Sequence, residues 1–260
     1  MNNMTVSISN DPNKKYRDAD EDASVNTKMK NGIWMIGVFD GHGGRAVSHD
    51  LSKTLPTEFG NLPSSLNTYK MSIIKQKISS IDKRYLDRRY ASQGSTASFI
   101  LFNPKQPQSI ISVNLGDSRT ILYDQGGNEL FTTHDHKPNT SYESERIRKL
   151  GSFITKEKLP DGSLVHRVGG NLSVSRSFGD WYMGHNNSKG KLISNLPTVH
   201  RVSLKQVKYI VIVCDGVTDV LSNADIGAIL RRKGTAKTIV QTAKQSGSTD
   251  NISAILIQIN

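Results

Sequence analysis

Acidic side chains at the ends of apolar runs are the feature of this sequence that could do chemistry. Asp40 directly follows the run IWMIGVF, and Asp215 directly follows YIVIVC; each is followed by glycine. Asp117 comes two residues after the run SIISVNL, and Asp250 stands two residues before the last apolar run. If these runs are strands, four carboxylates lie at strand ends, where a rigid sheet can present them together.

Carboxylates grouped in this way suit a hard divalent cation. Such ions prefer oxygen ligands, and Mg²⁺ usually takes few carboxylates and keeps several waters. Four carboxylates brought together without a cation would repel one another. Two simpler interpretations remain open at this point. Asp-Gly is a common turn dipeptide, and the acidic run Asp18–Asp22 fits a solvated segment.

Short strands and a few helices must position these carboxylates. Strands are predicted where Ile and Val lie between turn residues: Ile33–Phe39, Ala97–Phe102, Ser109–Leu115, Arg119–Tyr123, Leu172–Ser175, Tyr209–Cys214 and Ile252–Ile259. Helices are predicted at Ala46–Thr54, Leu66–Tyr90, Ser141–Leu150, Ala224–Arg232 and Ala236–Ser246. Thr140 followed by Glu143 is a capping-box pattern, and Gly151 is a helix stop. Consecutive short strands followed by helix pairs predict an α+β fold.

Composition limits the class of protein. The chain has 260 residues, and we expect one domain over residues 1–260. A single cysteine excludes an internal disulfide, and no apolar run has the roughly 20 residues of a membrane span. The polar N-terminus lacks the apolar stretch of a signal peptide, so we expect an intracellular protein. A monomer is the simplest expectation.

The net charge of +11 suits acidic, phosphorylated partners or nucleic acid. The Lys and Arg residues are spread along the chain, however, and neither an arginine-rich tail nor a zinc-finger spacing is present. A solvated basic surface is therefore the simplest interpretation of the charge.

Eight short blocks along the chain carry a family resemblance. They are Arg17 with Glu21–Ala23, VFDGHGG (Val38–Gly44), GSTA (Gly94–Ala97), NLGDSR (Asn114–Arg119), DHKP (Asp135–Pro138), LSVSRSFGD (Leu172–Asp180), CDGVTD (Cys214–Asp219) and TDNIS (Thr249–Ser253). In this order they resemble the protein phosphatase 2C family of metal-dependent serine/threonine phosphatases. The resemblance implies four layers, in which two antiparallel β-sheets pack face to face between helix pairs.

The resemblance also implies a centre of two Mg²⁺ or Mn²⁺ ions in a cleft at one end of the sandwich. Asp40 would bridge both ions. Asp215 and Asp250 would complete the protein ligands of one ion, and Glu21 with the carbonyl of Gly41 would contact the other.

Further residues are implied around this centre. Asp117 and Asp219, together with Asp215, resemble a weaker third metal site of the family. Asp22 would orient ligands or water, and Asn251 would hold Asp250 or its loop.

The substrate side of the reaction is implied by three other positions. His42 would be the general acid, although a histidine in a turn can also simply pack. Arg17 would bind phosphate through two parallel hydrogen bonds, unless it is an ordinary surface arginine. Arg176 would support the site through an ion pair. The segment Trp181–Val199 resembles the family's flap beside the cleft.

Three hypotheses follow for the activity. The first is an active phosphatase of phosphoserine and phosphothreonine in proteins. The second is a regulatory phosphoprotein-binding module of the same fold, motivated by Thr218, where the family often has an aromatic residue, and by a short stretch between Asp219 and Asp250. The third is a nucleic-acid-binding protein, motivated by the charge alone.

Overall fold

Two five-stranded antiparallel sheets form the centre of the molecule in the computed structural model, which describes residues 4–159, 162, 164–183 and 191–260. Its strands, in chain order, are β1 (Met4–Asp11), β2 (Ala23–Lys28), β3 (Trp34–Phe39), β4 (Gly41–His42), β5 (Gly94–Ser95), β6 (Ala97–Phe102), β7 (Ser109–Leu115), β8 (Arg119–Tyr123), β9 (Glu129–Thr132), β10 (Ile154–Lys158), β11 (Leu164–Val168), β12 (Phe178–Gly179), β13 (Thr198–Ser203), β14 (Tyr209–Val213) and β15 (Ile252–Ile259). The helices are α1 (Ala46–Phe59), α2 (Met71–Asp82), α3 (Ser141–Lys149), α4 (Asp215–Thr218), α5 (Asn223–Arg231) and α6 (Ala236–Gln245).

The two large sheets have the orders β1-β15-β14-β8-β9 and β13-β7-β6-β3-β2. Neighbouring strands pair antiparallel throughout both sheets. A small sheet, β12-β5-β4, and a hairpin, β10-β11, lie apart from them. The expected α+β fold is confirmed.

Three apolar clusters separate the layers. The cluster between the sheets takes its side chains from both of them: Ile36, Val38, Ile100, Phe102 and Ile110 from one, and Leu122, Ile210, Ile212, Ile255 and Ile257 from the other. A second cluster fills the space between α1, α2 and their sheet, and a third lies under α5 and α6. Each fully buried isoleucine contributes roughly 1.5–3 kcal/mol relative to exposure. The layers are therefore helix, sheet, sheet and helix.

The helix predicted over Leu66–Tyr90 is interrupted. Only α2 is α-helical, and short 3₁₀ turns stand at Leu66–Thr68, Lys83–Tyr85 and Arg88–Tyr90. The backbone leaves the helical region before α2 at Lys70, with a ψ of 140°, and after α2 at Asp87, with a ψ of 147°. The amide of Leu66 donates to the side chain of Gln106. The carboxylate of Asp82, the last residue of α2, accepts hydrogen bonds from another segment of the chain.

Helix α1 extends beyond the predicted end at Thr54 to Phe59 and contains Pro56. Proline lacks the amide that a helix interior uses and usually breaks it. Here Leu55 and Phe59 continue the buried stripe of the helix, so packing compensates for the lost hydrogen bond.

The capping box predicted at Thr140 is wrong. Thr140 donates to the carbonyl of Lys137, and the carboxylate of Glu143 binds two arginines instead of the helix start. The capping boxes in the described residues stand at Ser222–Asp225 and Thr235–Thr238, where α5 and α6 begin. Gly151 ends α3 as predicted, with a φ of 83°.

The strand predicted at Leu172–Ser175 is also wrong, because only one isolated bridge, Val168 to Leu172, forms there. Several strands were not predicted, among them β1 and β13. Both lie at sheet edges and mix polar with apolar residues, so their sequences lack a continuous apolar run. Of the flap segment Trp181–Val199, residues 184–190 lie outside the described residues. Among the helices that the structure describes, none is long and apolar enough to span a membrane.

His136 ties together the loops that end at the cleft. Its Nδ1 accepts from the amide of Gly116 at 3.0 Å, so the ring proton is on Nε2, which donates to Thr198 Oγ1 at 2.7 Å. Its carbonyl accepts from both the amide and the hydroxyl of Ser175. Burial, helped by the charge of Arg176, lowers the pKa of His136 to about 3, so the imidazole is neutral.

The free energy of unfolding should therefore decrease as the pH is lowered, because of His136. The pKa of this histidine is 6.5 in its ordinary state and about 3 in the fold, so the unfolded chain binds the extra proton. The stability is fully present above pH 6.5 and is lost as the pH falls toward 3. The slope is up to about 1.4 kcal/mol per pH unit. Chemical denaturation at several pH values measures it.

His136→Gln removes the titrating ring and should flatten this pH dependence relative to the unmodified chain. The matched control is His134→Gln, at an exposed histidine two residues away, which should leave the pH dependence unchanged. Equal pH dependence in the His136→Gln variant and the unmodified chain would contradict the assignment.

Candidate metal centre

The ends of strands from both sheets meet at one cavity of about 250 Å³. Asp40 follows β3, Asp117 follows β7, Asp215 follows β14, and Asp250 precedes β15. The polar and glycine residues that line the cavity are Arg17, Glu21, Asp40, Gly41, His42, Gly43, Thr96, Asp117, Arg167, Ser173, Asp215 and Asp250. Carboxylates far apart in the sequence are thus neighbours in space.

The carboxylates of this cavity repel one another, and desolvation and this repulsion raise the pKa values of the buried ones. Desolvation, followed by the charges of Asp215, Asp22, Asp250 and Asp117, raises the pKa of Asp40 well above its usual value. The pKa of Asp215 is also raised well above its usual value, first by desolvation and then by Asp117 and Asp250. Groups that resist ionisation in this way are stabilised as carboxylates by a bound cation.

Asp22, which was predicted only to orient ligands or water, is buried beside Asp40. It is 3% exposed, and its carboxylate oxygens come within 4.8 Å of potential ligand atoms of Asp40 and Cys214. Burial raises the pKa of Asp22 to about 7. A single cation could therefore contact both Asp22 and Asp40.

Unpaired oxygens provide a test of whether a metal fits. Among the described residues, both oxygens of Asp22 and one oxygen each of Asp117 and Asp215 are buried without a hydrogen-bond partner. A buried polar atom left without a partner costs free energy, and a cation would remove that cost. The donor set is almost entirely oxygen, which fits Mg²⁺ or Mn²⁺.

Cys214 does not change this choice of metal. Burial and then Asp22, Asp40 and Asp215 raise the pKa of its thiol well above 9.0, so the sulfur stays protonated. Its Sγ already accepts from the amide of Ser253 at 3.1 Å. A neutral, buried thiol is a weak ligand for hard ions.

Asn251 fastens the N-terminal segment beside the cavity. Its side-chain oxygen accepts from the amide of Glu21 at 2.9 Å, and its Nδ2 donates to the carbonyls of Pro12 and Ala19. Its own amide donates to Asp250 Oδ1 at 2.7 Å. One side chain therefore sets the distance between the loop that carries Glu21 and the strand that follows Asp250.

Arg17 lies at the rim of the cavity in an ion pair that the sequence did not predict. Its Nη2 donates to the carboxylate of Asp250, and its Nε donates to the carbonyl of Thr249 at 3.3 Å. Its side chain is 42% exposed. The guanidinium therefore balances part of the carboxylate charge while its outer face remains open to solvent.

His42 is held by Asp180, a residue for which no role was predicted. Its Nε2 lies 2.7 Å from Asp180 Oδ2, and the Asp180 carboxylate also accepts from the hydroxyl of Ser177. Burial lowers the pKa of His42, but the charge and hydrogen bond of Asp180 outweigh it, so the pKa is raised overall. Gly94 makes room for this pair, because a Cβ there would overlap both Asp180 and His42. The position of Asp180 in the block LSVSRSFGD was the only signal in the sequence.

Lys137 is a second residue that the sequence analysis missed. Its ammonium lies 2.9 Å from Asp219 and 4.0 Å from Asp117, in a neighbouring cavity of about 420 Å³ that also includes Asp215. These three aspartates are the predicted third metal site. The structure brings them to one cavity with a lysine cation among them, and their role as metal ligands stays a prediction.

Arg176 lies away from the metal cavity. It is 8% exposed and lines a different cavity, where its Nε and Nη2 donate to Glu143 and its Nη1 donates to the carbonyl of Leu196. Arg146 binds the same glutamate. Arg176 thus forms the expected ion pair, but its contacts join α3 to the segment before β13.

Comparisons with known proteins agree with this architecture. The family model described as "Protein phosphatase 2C" matches residues 14–252. "Probable protein phosphatase 2C 59" of Oryza sativa subsp. japonica is 30% identical over 233 residues, which cover 87% of this chain and 66% of the relative. "Protein phosphatase 2C homolog 1" of Saccharomyces cerevisiae is 27% identical over 277 residues, which cover 97% of this chain and 92% of the relative.

A solved structure shares the fold. It is titled "Crystal structure of a phosphatase from a pathogenic strain Toxoplasma gondii", with a TM-score of 0.79 and 23% identity over 99% of this chain and 93% of that one. This chain spans about half to two thirds of the length of several curated relatives that it matches. Because the family model matches most of its residues, the chain belongs to the protein phosphatase 2C family.

Proposed function

We propose that this chain hydrolyses phosphoserine and phosphothreonine in proteins and depends on two Mg²⁺ or Mn²⁺ ions. The observation that carries the proposal is the meeting of Glu21, Asp40, Asp215 and Asp250 at one cavity, with a paired histidine at its rim. Family membership supports the same activity. The unpaired oxygens of the buried carboxylates fit bound cations, which this hydrolysis requires.

Each carboxylate has a distinct place in this proposal. Asp40 would hold both ions, and Asp215 and Asp250 would hold one of them. Glu21 and the carbonyl of Gly41 would hold the other. Bound divalent ions supply positive charge and lower the pKa of water, so that a nucleophile is available near neutral pH. The chain's own part is to keep these oxygens fixed before substrate arrives.

His42 protonates the leaving group. As the bond between phosphorus and the serine or threonine oxygen breaks, that oxygen gains negative charge and needs a proton. Asp180 holds Nε2, so the proton comes from Nδ1 of the imidazolium. The water oxygen forms the new bond to phosphorus, and no covalent phosphoenzyme is involved.

Arg17 binds the phosphate. Its guanidinium has five N–H groups, of which one is directed to Thr249 and one to Asp250. The remaining N–H groups can donate two parallel hydrogen bonds to two phosphate oxygens. The ion pair with Asp250 therefore orients Arg17 and does not exclude phosphate binding. The net charge of +11 helps attract acidic phosphoproteins.

Hydrolysis of phosphoserine and phosphothreonine peptides should require Mn²⁺ or Mg²⁺ and stop when the metal is chelated. Asp40→Asn should lower kcat/KM more than about 100-fold, because even residues behind the ligands are worth 10–100-fold. Asp18→Asn, at an exposed aspartate that follows Arg17 in the chain, is the matched control and should keep full activity. Phosphate release from the peptides measures both.

A phosphotyrosine peptide tests the substrate class in the same assay and should be turned over poorly. If the chain bound phosphopeptides at saturating metal without hydrolysing them, the regulatory-module hypothesis would replace this one. Affinity for DNA or RNA that falls steeply with salt would instead favour a nucleic-acid-binding protein.

Asp180→Asn should shift the alkaline limit of activity to lower pH. The Asp180 carboxylate raises the pKa of His42, so removing its charge lets the imidazolium lose its proton at lower pH. As a general acid His42 must be protonated, and kcat at alkaline pH should fall by about 10- to 100-fold. A profile of kcat against pH measures the shift.

Asp87→Asn removes an exposed carboxylate on the 3₁₀ turns after α2 and serves as the control. Its pH profile should match that of the unmodified chain. An Asp180→Asn profile with an unchanged alkaline limit would show that Asp180 does not set the proton affinity of His42.

A further inference from the structure

Lys137 places a positive charge inside the group of aspartates beside the main centre. Its Nζ is 2.9 Å from Asp219 Oδ1 and 4.0 Å from Asp117 Oδ2. Burial opposes the charged form of Lys137, yet Asp117, Asp219 and Asp215 outweigh it and raise the pKa of the ammonium. The lysine is thus charged, and these three carboxylates favour that charge.

The backbone of Lys137 is fixed on both sides. The preceding residue, His136, is buried and bound to Gly116 and Thr198. The carbonyl of Lys137 itself accepts from both the amide and the hydroxyl of Thr140. The main chain therefore cannot carry the ammonium away, and any movement must come from the flexible side chain.

The aspartates also have unmet capacity for a ligand. Asp117 is 2% exposed, and its Oδ1 is buried without a hydrogen-bond partner among the described residues. Its other oxygen is 4.0 Å from the ammonium, too far for a hydrogen bond. Lys137 therefore offsets part of the negative charge of these aspartates but leaves the oxygens of Asp117 without a hydrogen bond from its ammonium.

We propose that Lys137 competes with a divalent cation for Asp117 and Asp219, so that a cation binds there only when the ammonium moves aside. The inference rests on the proposed function, because Asp215 also belongs to the main centre. A divalent ion needs carboxylate oxygens at about 2.0–2.6 Å and cannot share them with an ammonium at hydrogen-bond distance. The Lys137 side chain is 35% exposed, so solvent can receive the displaced ammonium.

The functional consequence is a weak third site that senses divalent-ion concentration. Among the described residues, Asp250 is the main-centre carboxylate with a cationic partner, Arg17, and Asp40 and Asp215 have none, whereas the third ion must displace Lys137 from Asp219. Lys137 therefore sets the concentration at which the third ion binds, and it acts as a positioning residue without contact to the reacting phosphate.

Mn²⁺ titrations of the full chain by calorimetry, with free Mn²⁺ counted by electron paramagnetic resonance, test the competition. In the unmodified chain we expect two tight ions and a third weaker one. Lys137→Gln should tighten the third step at least tenfold and leave the first two within about twofold. Lys137→Arg, which keeps the charge, should keep the third step weak.

The matched control is Lys77→Gln. Lys77 pairs with Glu58 at 3.1 Å, and its side chain has 24% exposure, but it lies on α2 far along the chain from the aspartates. This variant should bind all three ions like the unmodified chain. A third step that is unchanged or weaker in Lys137→Gln would overturn the proposal.

A measurement on the unmodified chain covers the case in which Lys137→Gln fails to fold. In a Mg²⁺ titration followed by NMR of lysine Nζ and Cε, the Lys137 signals should move with the weak step. Signals that move only with the tight steps, or not at all, would overturn the proposal. A chain that binds no divalent ion would contradict the proposed function itself, whereas two tight ions with an immobile Lys137 contradict only this inference.

Discussion

Repulsion between carboxylates is the constraint on which the rest of this structure depends. Desolvation and neighbouring charges raise the pKa values of Asp40, Asp215 and Asp22 together, so the cleft is under electrostatic stress when they are ionised. A fold can keep such a group only if packing elsewhere offsets the cost. The three apolar clusters between and outside the sheets provide that packing, and the carboxylates lie at the sheet ends, beyond those clusters.

The chain relieves this stress unevenly. Carboxylates at the rim have cationic partners, since Asp250 pairs with Arg17 and Asp219 pairs with Lys137. In the interior, Asp22 has no hydrogen bond to either oxygen among the residues that the structure describes. The arrangement distinguishes two kinds of acidic residue. Those outside can exchange a protein cation for a ligand, and those inside are left for a cation that the protein does not supply.

The sequence predicted the parts of the fold that depend on continuous apolar runs. The bounds of β6, β7, β8 and β15 agree with the predicted strands, because each is buried along nearly all of its length and contains Ile, Leu, Val or aromatic residues between turn residues. Edge strands such as β1 and β13 were missed because they mix polar with apolar residues. Each forms by pairing with a strand that is distant in the sequence, and local composition does not show that pairing. The interruptions on both sides of α2 were missed as well, because the extended backbone of Lys70 and Asp87 is not marked by a glycine or proline.

The same distinction applies to the site. Asp40 and Asp215 could be found because each stands at the end of an apolar run and before glycine. Their place in one cavity agrees with the prediction, while their roles as ligands stay predictions. Asp180 and Lys137 could not be found in this way, since their importance comes from partners about 138 and 82 positions away in the chain. Arg176 was expected near the site because of its block, but its contacts lie with Glu143.

The glycines after Asp40 and Asp215 show why the turn interpretation fails. Neither Gly41 nor Gly216 has a positive φ, so neither is present for the backbone freedom that turns require. A Cβ at Gly41 would overlap the carbonyl of Glu21, and one at Gly216 would overlap the carbonyl of Asn251. Each glycine therefore lets a second chain segment lie directly against the strand end, and each of those segments carries a carboxylate of the cluster, Glu21 or Asp250. The Asp-Gly pairs thus bring acidic residues from distant parts of the chain to one point, which is the geometry that a shared cation needs.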